Sequence, residues 1–90
     1  MPATKNNHYV YILECADGTY YTGYTNDLDK RLQAHQNGKG AKYTRGRGPV
    51  KLIYSEVYVT KEEAMSREYA IKQLKRQDKV RLIKGENNND

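Results

Sequence analysis

Residues 9–25 read YVYILECADGTYYTGYT, and the way this stretch folds back on itself decides which side chains share a face. Both ends are rich in β-branched and aromatic residues, the composition of strands, and Ala16-Asp17-Gly18 between them is turn chemistry. A two-residue Asp17-Gly18 loop would pair Ala16 with Thr19 and set Tyr11 opposite Tyr24. A three-residue loop over residues 16–18, with Gly18 left-handed as its bulge requires, pairs Tyr11 with Gly23 and Leu13 with Tyr21. Side chains alternate with period two, so this one-residue choice fixes which tyrosines lie together. The three-residue loop is favoured. It puts Tyr11 and Tyr21 side by side and leaves the missing side chain of Gly23 as a gap next to Tyr11. A glycine inside a strand otherwise marks a bulge or a helix packed close against it.

Working outward, Asn26 or Asp27 can cap a helix running to about Asn37, with Gly38 as its stop. Residues 38–49 (GKGAKYTRGRGP) form a loop of glycines and cations, and residues 50–59 (VKLIYSEVYV) alternate as a third strand. Thr60 followed by Glu63 is a capping-box pair that opens a helix through about Arg76. A last short helix takes residues 77–85, with Asp78 near its start and Gly85 at its end. The order is ββαβαα, an α+β domain with a three-stranded antiparallel sheet flanked by helices. Residues 1–84 are expected to form this one domain, and residues 85–90 a disordered polar tail.

Ninety residues hold one modest core, and a hydrophobic content of 37% is low but periodic, as in a folded domain. No run approaches the roughly 20 apolar residues of a membrane span. The start, MPATKNNH, lacks the apolar centre of a signal peptide, so a cytoplasmic protein is expected. Cys15, the only cysteine, has no internal disulfide partner, and one Cys with two His is too few for a structural zinc site. It reads as a small buried strand residue. The net charge of +5 is unevenly spread: Lys30, Arg31, Lys39, Lys42, Arg45, Arg47 and Lys51 lie in a stretch without acids, and Lys72, Lys75, Arg76, Lys79, Arg81 and Lys84 form a second run against Asp78 alone. Such clusters are either solvated surface or the footprint of a polyanion.

Nine tyrosines stand beside no Phe and no Trp, and five of them fall between Tyr9 and Tyr24. Packing alone would share that work with Phe, so phenol hydroxyls are wanted here. Two further features carry charge where a core is expected. Ala64, Ile71 and Leu74 mark a buried helix stripe, yet the positions three and four after Ala64 are Arg67 and Glu68. A carboxylate at the edge of such a stripe must be paired with a nearby Arg or Lys, protonated, or bound to a cation; a hard divalent cation is the functional reading. In the first helix Arg31 and His35, four apart, flank the Leu28/Leu32 stripe and project to one side. Arg suits phosphate oxygens and His exchanges a proton near neutral pH, although on a helix surface both are ordinarily just solvated.

Set end to end, these features resemble a GIY-YIG nuclease domain. YVY (9–11), ten residues before YTG (21–23), stands where that family has its GIY and YIG triplets. GYTNDLDKRLQAH (23–35) is similar to the segment carrying the family's arginine and, four residues on, its histidine or tyrosine; AMSREYAIK (64–72) is similar to the helix with its metal-binding glutamate. HQNGKGAKYTRGRGPVKLIY (35–54) resembles a loop of small stand-alone bacterial members and of structure-selective junction nucleases. Departures are the missing leading Gly of the first triplet, Thr22 in place of Ile, Tyr24 where some members have Lys, and no counterpart of a late Asn.

The resemblance implies hydrolysis of a DNA phosphodiester by in-line attack of water, with one divalent metal, Mg²⁺ or Mn²⁺. By position Tyr21 would be the general base or align the water, Tyr11 would bond at the reacting phosphate, and Arg31 would stabilise the phosphorane. His35 would assist proton transfer or touch phosphate, Glu68 would hold the metal, and Gly23 would be structural. A free tyrosine has a pKa near 10, roughly three units too high for an efficient base at pH 7, so neighbouring cations or the metal would have to help. Lys39, Lys42, Tyr43, Arg45 and Arg47 would track the nucleic acid, Tyr43 stacking on an unpaired base. With no second recognition domain, a branched or single-stranded substrate in repair or recombination is expected rather than a restriction site. A binding module on the same fold without catalysis, and an adaptor acting through a protein partner or homodimer, are the other readings.

Overall fold

The computed structural model describes residues 7–37 and 49–85. Its elements follow the expected order: β1 (His8–Glu14), β2 (Tyr20–Thr25), α1 (Leu28–Gln36), β3 (Lys51–Tyr58), α2 (Lys61–Lys72) and α3 (Arg76–Lys84). The sheet is antiparallel with order β2-β1-β3. β1 is therefore central, which is why its Val10–Leu13 run is apolar without alternation and buried on both sides.

The three-residue turn is the one that forms. The Cys15 amide donates to Thr19 O at 2.8 Å, the Gly18 amide donates to Cys15 O at 2.9 Å, and Gly18 has φ 85°. Asp17 secures the turn by accepting from the Thr19 amide at 3.1 Å. The register follows: Tyr11 pairs with Gly23 and Leu13 with Tyr21, without a shift along β1–β2. The sheet's irregularity lies elsewhere. Between Ile12 and Leu13 the β3 partner jumps from Tyr54 to Leu52, so Ile53 is the extra residue of a bulge.

Successive β1 residues point to opposite faces and seed two cores. Tyr11, Leu13 and Cys15 pack with Val50 and with Leu28 and Leu32 of α1. Val10 and Ile12 pack with Ala64 and Ile71 of α2 and with Leu82 and Ile83 of α3. Each fully buried Val, Leu or Ile contributes about 1.5–3 kcal/mol, so the central strand carries much of the stability. Cys15 is buried and free.

Asp27, not Asn26, caps α1, its carboxylate accepting from the Lys30 amide. Thr60 and Glu63 form the capping box of α2. α2 stops at Lys72, four residues short of the expected Arg76, and α3 begins at Arg76. The break has no glycine or proline to announce it. Lys75 turns extended (φ −70°, ψ 159°) and caps α3 with its carbonyl alone, accepting from the amides of Asp78 and Lys79 at 3.0 Å each. Leu74, expected in the core stripe, sits in this turn and is only half-buried. Gly85 ends α3 as expected, left-handed at φ 74°. Among the described residues no helix is long and apolar enough to cross a membrane.

Candidate active site

Tyr11 comes from β1, Tyr21 from β2, Arg31 and His35 from α1. The hairpin register puts the two tyrosines on the sheet face that α1 covers, and the 28/32/35 spacing of α1 turns His35 inward with Leu28 and Leu32. His35 is 2% exposed, and its Nε2 lies 3.0 Å from the Tyr11 hydroxyl oxygen. The three rings touch one another: Tyr11 meets His35 edge-on at 5.8 Å between centroids, Tyr21 lies 5.4 Å from His35, and Tyr11 lies 6.3 Å from Tyr21.

Gly23 makes this packing possible. A Cβ there would stand 2.5 Å from the Tyr11 hydroxyl oxygen, 2.6 Å from the ring carbon that bears it and 2.9 Å from Cε2 of Tyr21. The expected gap is therefore not open: the Tyr11 phenol fills it. Neither a bulge nor a helix explains the glycine, since β1–β2 pairing is regular and the atoms that crowd the position are tyrosine side chains.

Burial pushes the Tyr11 hydroxyl pKa up, against the Arg31 hydrogen bond that pulls it down; the nearby Tyr21 and Glu68 add to the rise. Burial also pushes His35 below its usual value, and the positive Arg31 adds to this. At neutral pH the pair is thus a protonated phenol facing a neutral imidazole. Arg31 is held more firmly protonated by its hydrogen bond to Tyr11, although burial opposes this, and Tyr21 contributes in the same sense. The guanidinium can only donate to the phenol oxygen, so in the 3.0 Å Tyr11–His35 contact the imidazole tautomer decides which partner gives the proton. The Nε of Arg31 is buried and has no hydrogen-bond partner among the described residues. Such an open donor is costly and is the kind of group that an anion would satisfy.

Glu68 approaches from α2, on the stripe between the buried Ala64 and Ile71, near enough to Tyr11 for its charge to be felt at the hydroxyl. Its side chain is 17% exposed and forms an ion pair with Lys72, one turn on, at 3.1 Å. Among the described residues no group of three or more His, Cys, Asp or Glu could hold a metal ion. One carboxylate does not make a cage for a metal that prefers His or Cys ligands, such as zinc. It does fit a hard cation such as Mg²⁺, which keeps several waters and completes its shell with phosphate oxygens.

Five of the named site residues, Tyr11, Tyr21, Gly23, Arg31 and His35, thus meet in one patch, with Glu68 at its edge. Lys39, Lys42, Tyr43, Arg45 and Arg47 lie outside the described residues. The other oddity of α2 has a partner that was not foreseen. Arg67 meets Glu56 of β3 with Nε at 2.9 Å and Nη2 at 3.1 Å, and Glu56 also accepts from the hydroxyls of Tyr54 and Tyr58. Burial alone would push Glu56 up, but these donors outweigh it and hold its carboxyl below the usual range. The signal was present as Tyr-x-Glu-x-Tyr at the two-residue period of β3. His8, which carried no sequence signal, bonds the Tyr24 hydroxyl through Nδ1 at 2.8 Å.

A family model for the GIY-YIG catalytic domain matches residues 7–82. The chain belongs to the GIY-YIG family. Within it, the chain is similar to the small stand-alone bacterial UPF0213 proteins. It is 63% identical over 76 residues to one from Clostridium perfringens, covering 84% of this chain and 82% of that one. A UPF0213 protein of Staphylococcus aureus (strain Mu3) is 54% identical over 79 residues, covering 88% of this chain and 96% of its own length. Two solution NMR structures share the GIY-YIG fold seen here. One, of a UPF0213 protein from Bacillus halodurans, has TM-score 0.60 and 56% identity over 89% of this chain and 85% of that one. The other, of a protein from E. faecalis, has TM-score 0.63 and 41% identity over 96% of this chain and 95% of that one.

Proposed function

We propose that this GIY-YIG chain is a metal-dependent endonuclease that hydrolyses DNA phosphodiester bonds, selecting branched or single-stranded structures, in the cytoplasm and in the service of repair or recombination. The observation that carries the reading is the cluster itself. A purely structural core would not need two phenols, a neutral imidazole and a guanidinium whose buried Nε has no partner among the described residues, brought together behind a mandatory glycine. Residues 1–84 form the working unit in this reading, and the tail from Gly85 takes no part.

The chemistry divides among the residues as follows. Arg31 offers its open N–H to a non-bridging phosphate oxygen and meets the charge that builds up in the pentavalent state. Tyr21 aligns the attacking water or takes its proton. Tyr11 bonds at the phosphate, and its 3.0 Å contact with His35 Nε2 joins it to a neutral imidazole that assists proton transfer. Glu68 is the residue that would hold the divalent cation, which when bound supplies Lewis-acid polarisation of a phosphate oxygen. Lys39, Lys42, Tyr43, Arg45 and Arg47 belong in this proposal as backbone and base contacts.

One observation favours the second reading, a nucleic-acid-binding module without catalysis: Glu68 is already neutralised by Lys72. The test is a cleavage panel of single strand, duplex, flap, fork and four-way junction with Mg²⁺ or Mn²⁺, with Tyr21→Phe and Glu68→Gln beside the wild type. Metal-dependent cutting that falls about 10²–10⁴-fold in Tyr21→Phe and is lost in Glu68→Gln, with folding intact, is expected. Binding without cutting, unchanged by either substitution, selects the binding module.

A further inference from the structure

The second basic run of the sequence has no role in the site described above, yet the fold brings part of it to the edge strand β2. Tyr20, Tyr21, Thr22, Lys72 and Lys79 line a cavity of about 220 Å³ between β2 and the α2–α3 corner. At about 30 Å³ per water this has room for a phosphate group and several waters. Three features make it more than a gap between surface lysines. Thr22 is 4% exposed, and its Oγ1 is buried with no hydrogen-bond partner among the described residues. Lys79 is half-buried and has no ion-pair partner among them. Arg76, one helical turn before Lys79, lies over the Tyr20 ring at 4.2 Å and adds a third positive group beside the cavity. Tyr21 belongs both to this lining and to the cluster with Tyr11 and His35. The cavity therefore adjoins the candidate active site through a shared side chain.

We propose that this cavity is an anion subsite that holds a backbone phosphate of the nucleic-acid strand, next to the phosphate presented to Tyr21. The assignment rests on the nuclease reading for the identity of that neighbouring phosphate. Lys72 and Lys79 supply the charge, and a phosphate oxygen gives the Thr22 hydroxyl an acceptor. Lys72 also connects the subsite to Glu68, since one ammonium serves the carboxylate in the free protein and borders the cavity. Strand binding and the charge at Glu68 are thereby linked.

The test is binding of a labelled single strand, followed by fluorescence anisotropy in EDTA across a KCl series, for the wild type, Lys72→Gln, Lys79→Gln, Thr22→Val and Lys61→Gln. Each neutralised phosphate contributes about 0.7 to the slope of log K against log salt for a single strand. Lys72→Gln and Lys79→Gln should each lower the slope, by about 0.7 when both are combined and the one phosphate contact is lost, and Lys61→Gln, at the far end of α2, should not. Thr22→Val should weaken binding while raising Tm, because it removes a buried hydroxyl that has no partner among the described residues. A purely structural threonine would lose both together. Slopes for the two lysine variants equal to wild type overturn the proposal, as does a wild type that binds no strand. Inorganic phosphate that shifts the Thr22 and Lys79 amide resonances as strongly as the strand does also overturns it, by assigning the site to free phosphate. A parallel cleavage arm with Mn²⁺ separates the two readings. Cutting lost in Tyr21→Phe with wild-type lysine slopes sinks the subsite alone, whereas reduced slopes without any cutting sink the nuclease and keep the subsite.

Discussion

Gly23→Ala is the smallest change that tests how the site is built. Replacing a strand glycine by alanine normally helps by about 0.5–1 kcal/mol, because glycine loses more backbone freedom on folding. Here the added methyl would stand 2.5 Å from the Tyr11 hydroxyl oxygen and 2.6 Å from the ring carbon that carries it. Tyr11 is 1% exposed and cannot swing into solvent. Overpacking of this kind costs about 1–3 kcal/mol. A ring that moves away also gives up its 3.0 Å contact with His35 and leaves buried polar atoms unpaired, for about 1–3 kcal/mol more. The clash wins, and a net loss of about 3 kcal/mol is expected, or roughly 15 °C in Tm for a domain of this size. Thermal and urea denaturation followed by circular dichroism would measure it. Tyr11→Phe in the same chain should not rescue the loss, because the ring carbon at 2.6 Å remains, whereas Tyr11→Leu should recover part of it. A Gly23→Ala protein as stable as the wild type, or more stable, would refute the claim that the glycine exists to admit the phenol.

Three other outcomes follow from the same geometry. His35 has its folded-state pKa pushed below the unfolded value of about 6.5, so its stabilising contribution is complete above that pH and is lost as pH falls through the folded value; urea denaturation should show this acid-side loss in the wild type and not in His35→Gln. Burial first, and the Glu56 carboxylate after it, push Tyr54 up to about 12. A raised phenol stabilises fully below about 10 and loses that contribution as pH rises toward 12, so tyrosinate absorbance should show a late step that moves earlier in Glu56→Gln. Lys72→Gln removes the ammonium 3.1 Å from Glu68, and should therefore raise Mn²⁺ affinity in the absence of nucleic acid, read by Mn²⁺ electron paramagnetic resonance; unchanged affinity would mean that Lys72 does not compete for that carboxylate.

Most of the architecture was legible because it rests on local chemistry. The Ala16-Asp17-Gly18 turn, the Thr60/Glu63 capping box and the Gly85 stop are read from a few adjacent residues, and each appears as expected. The turn in its own right set the register, and the register set which tyrosines meet. The α2–α3 break was not legible, because Lys75 caps with its backbone and leaves no mark in the side chains. The Arg67–Glu56 pair was missed because its halves are 11 residues apart on different elements. The odd charges in α2 were visible, but only tertiary contact sorts them: Arg67 goes to β3, and Glu68 stays with its own helix.

That sorting bears on how the site holds together. Tyr11, Tyr21, Arg31 and His35 are anchored on the sheet face that α1 covers, while Glu68 arrives on a helix that packs on the other face. Two separate cores therefore have to agree on one place, and α2 must not slide or rotate on the sheet. Ala64 and Ile71 seat α2 against Val10 and Ile12, but apolar contacts alone resist small shifts weakly, since hydrophobic burial has no preferred direction. The two-pronged Arg67–Glu56 contact has direction, and it sits at the residue immediately before Glu68. Tyr54 and Tyr58 fix the Glu56 carboxylate in turn, so the β3 end of the clamp is held in place. The hydroxyls that the composition has in excess thus serve both faces: one pair faces the proposed chemistry, and another holds the helix that brings the carboxylate to it.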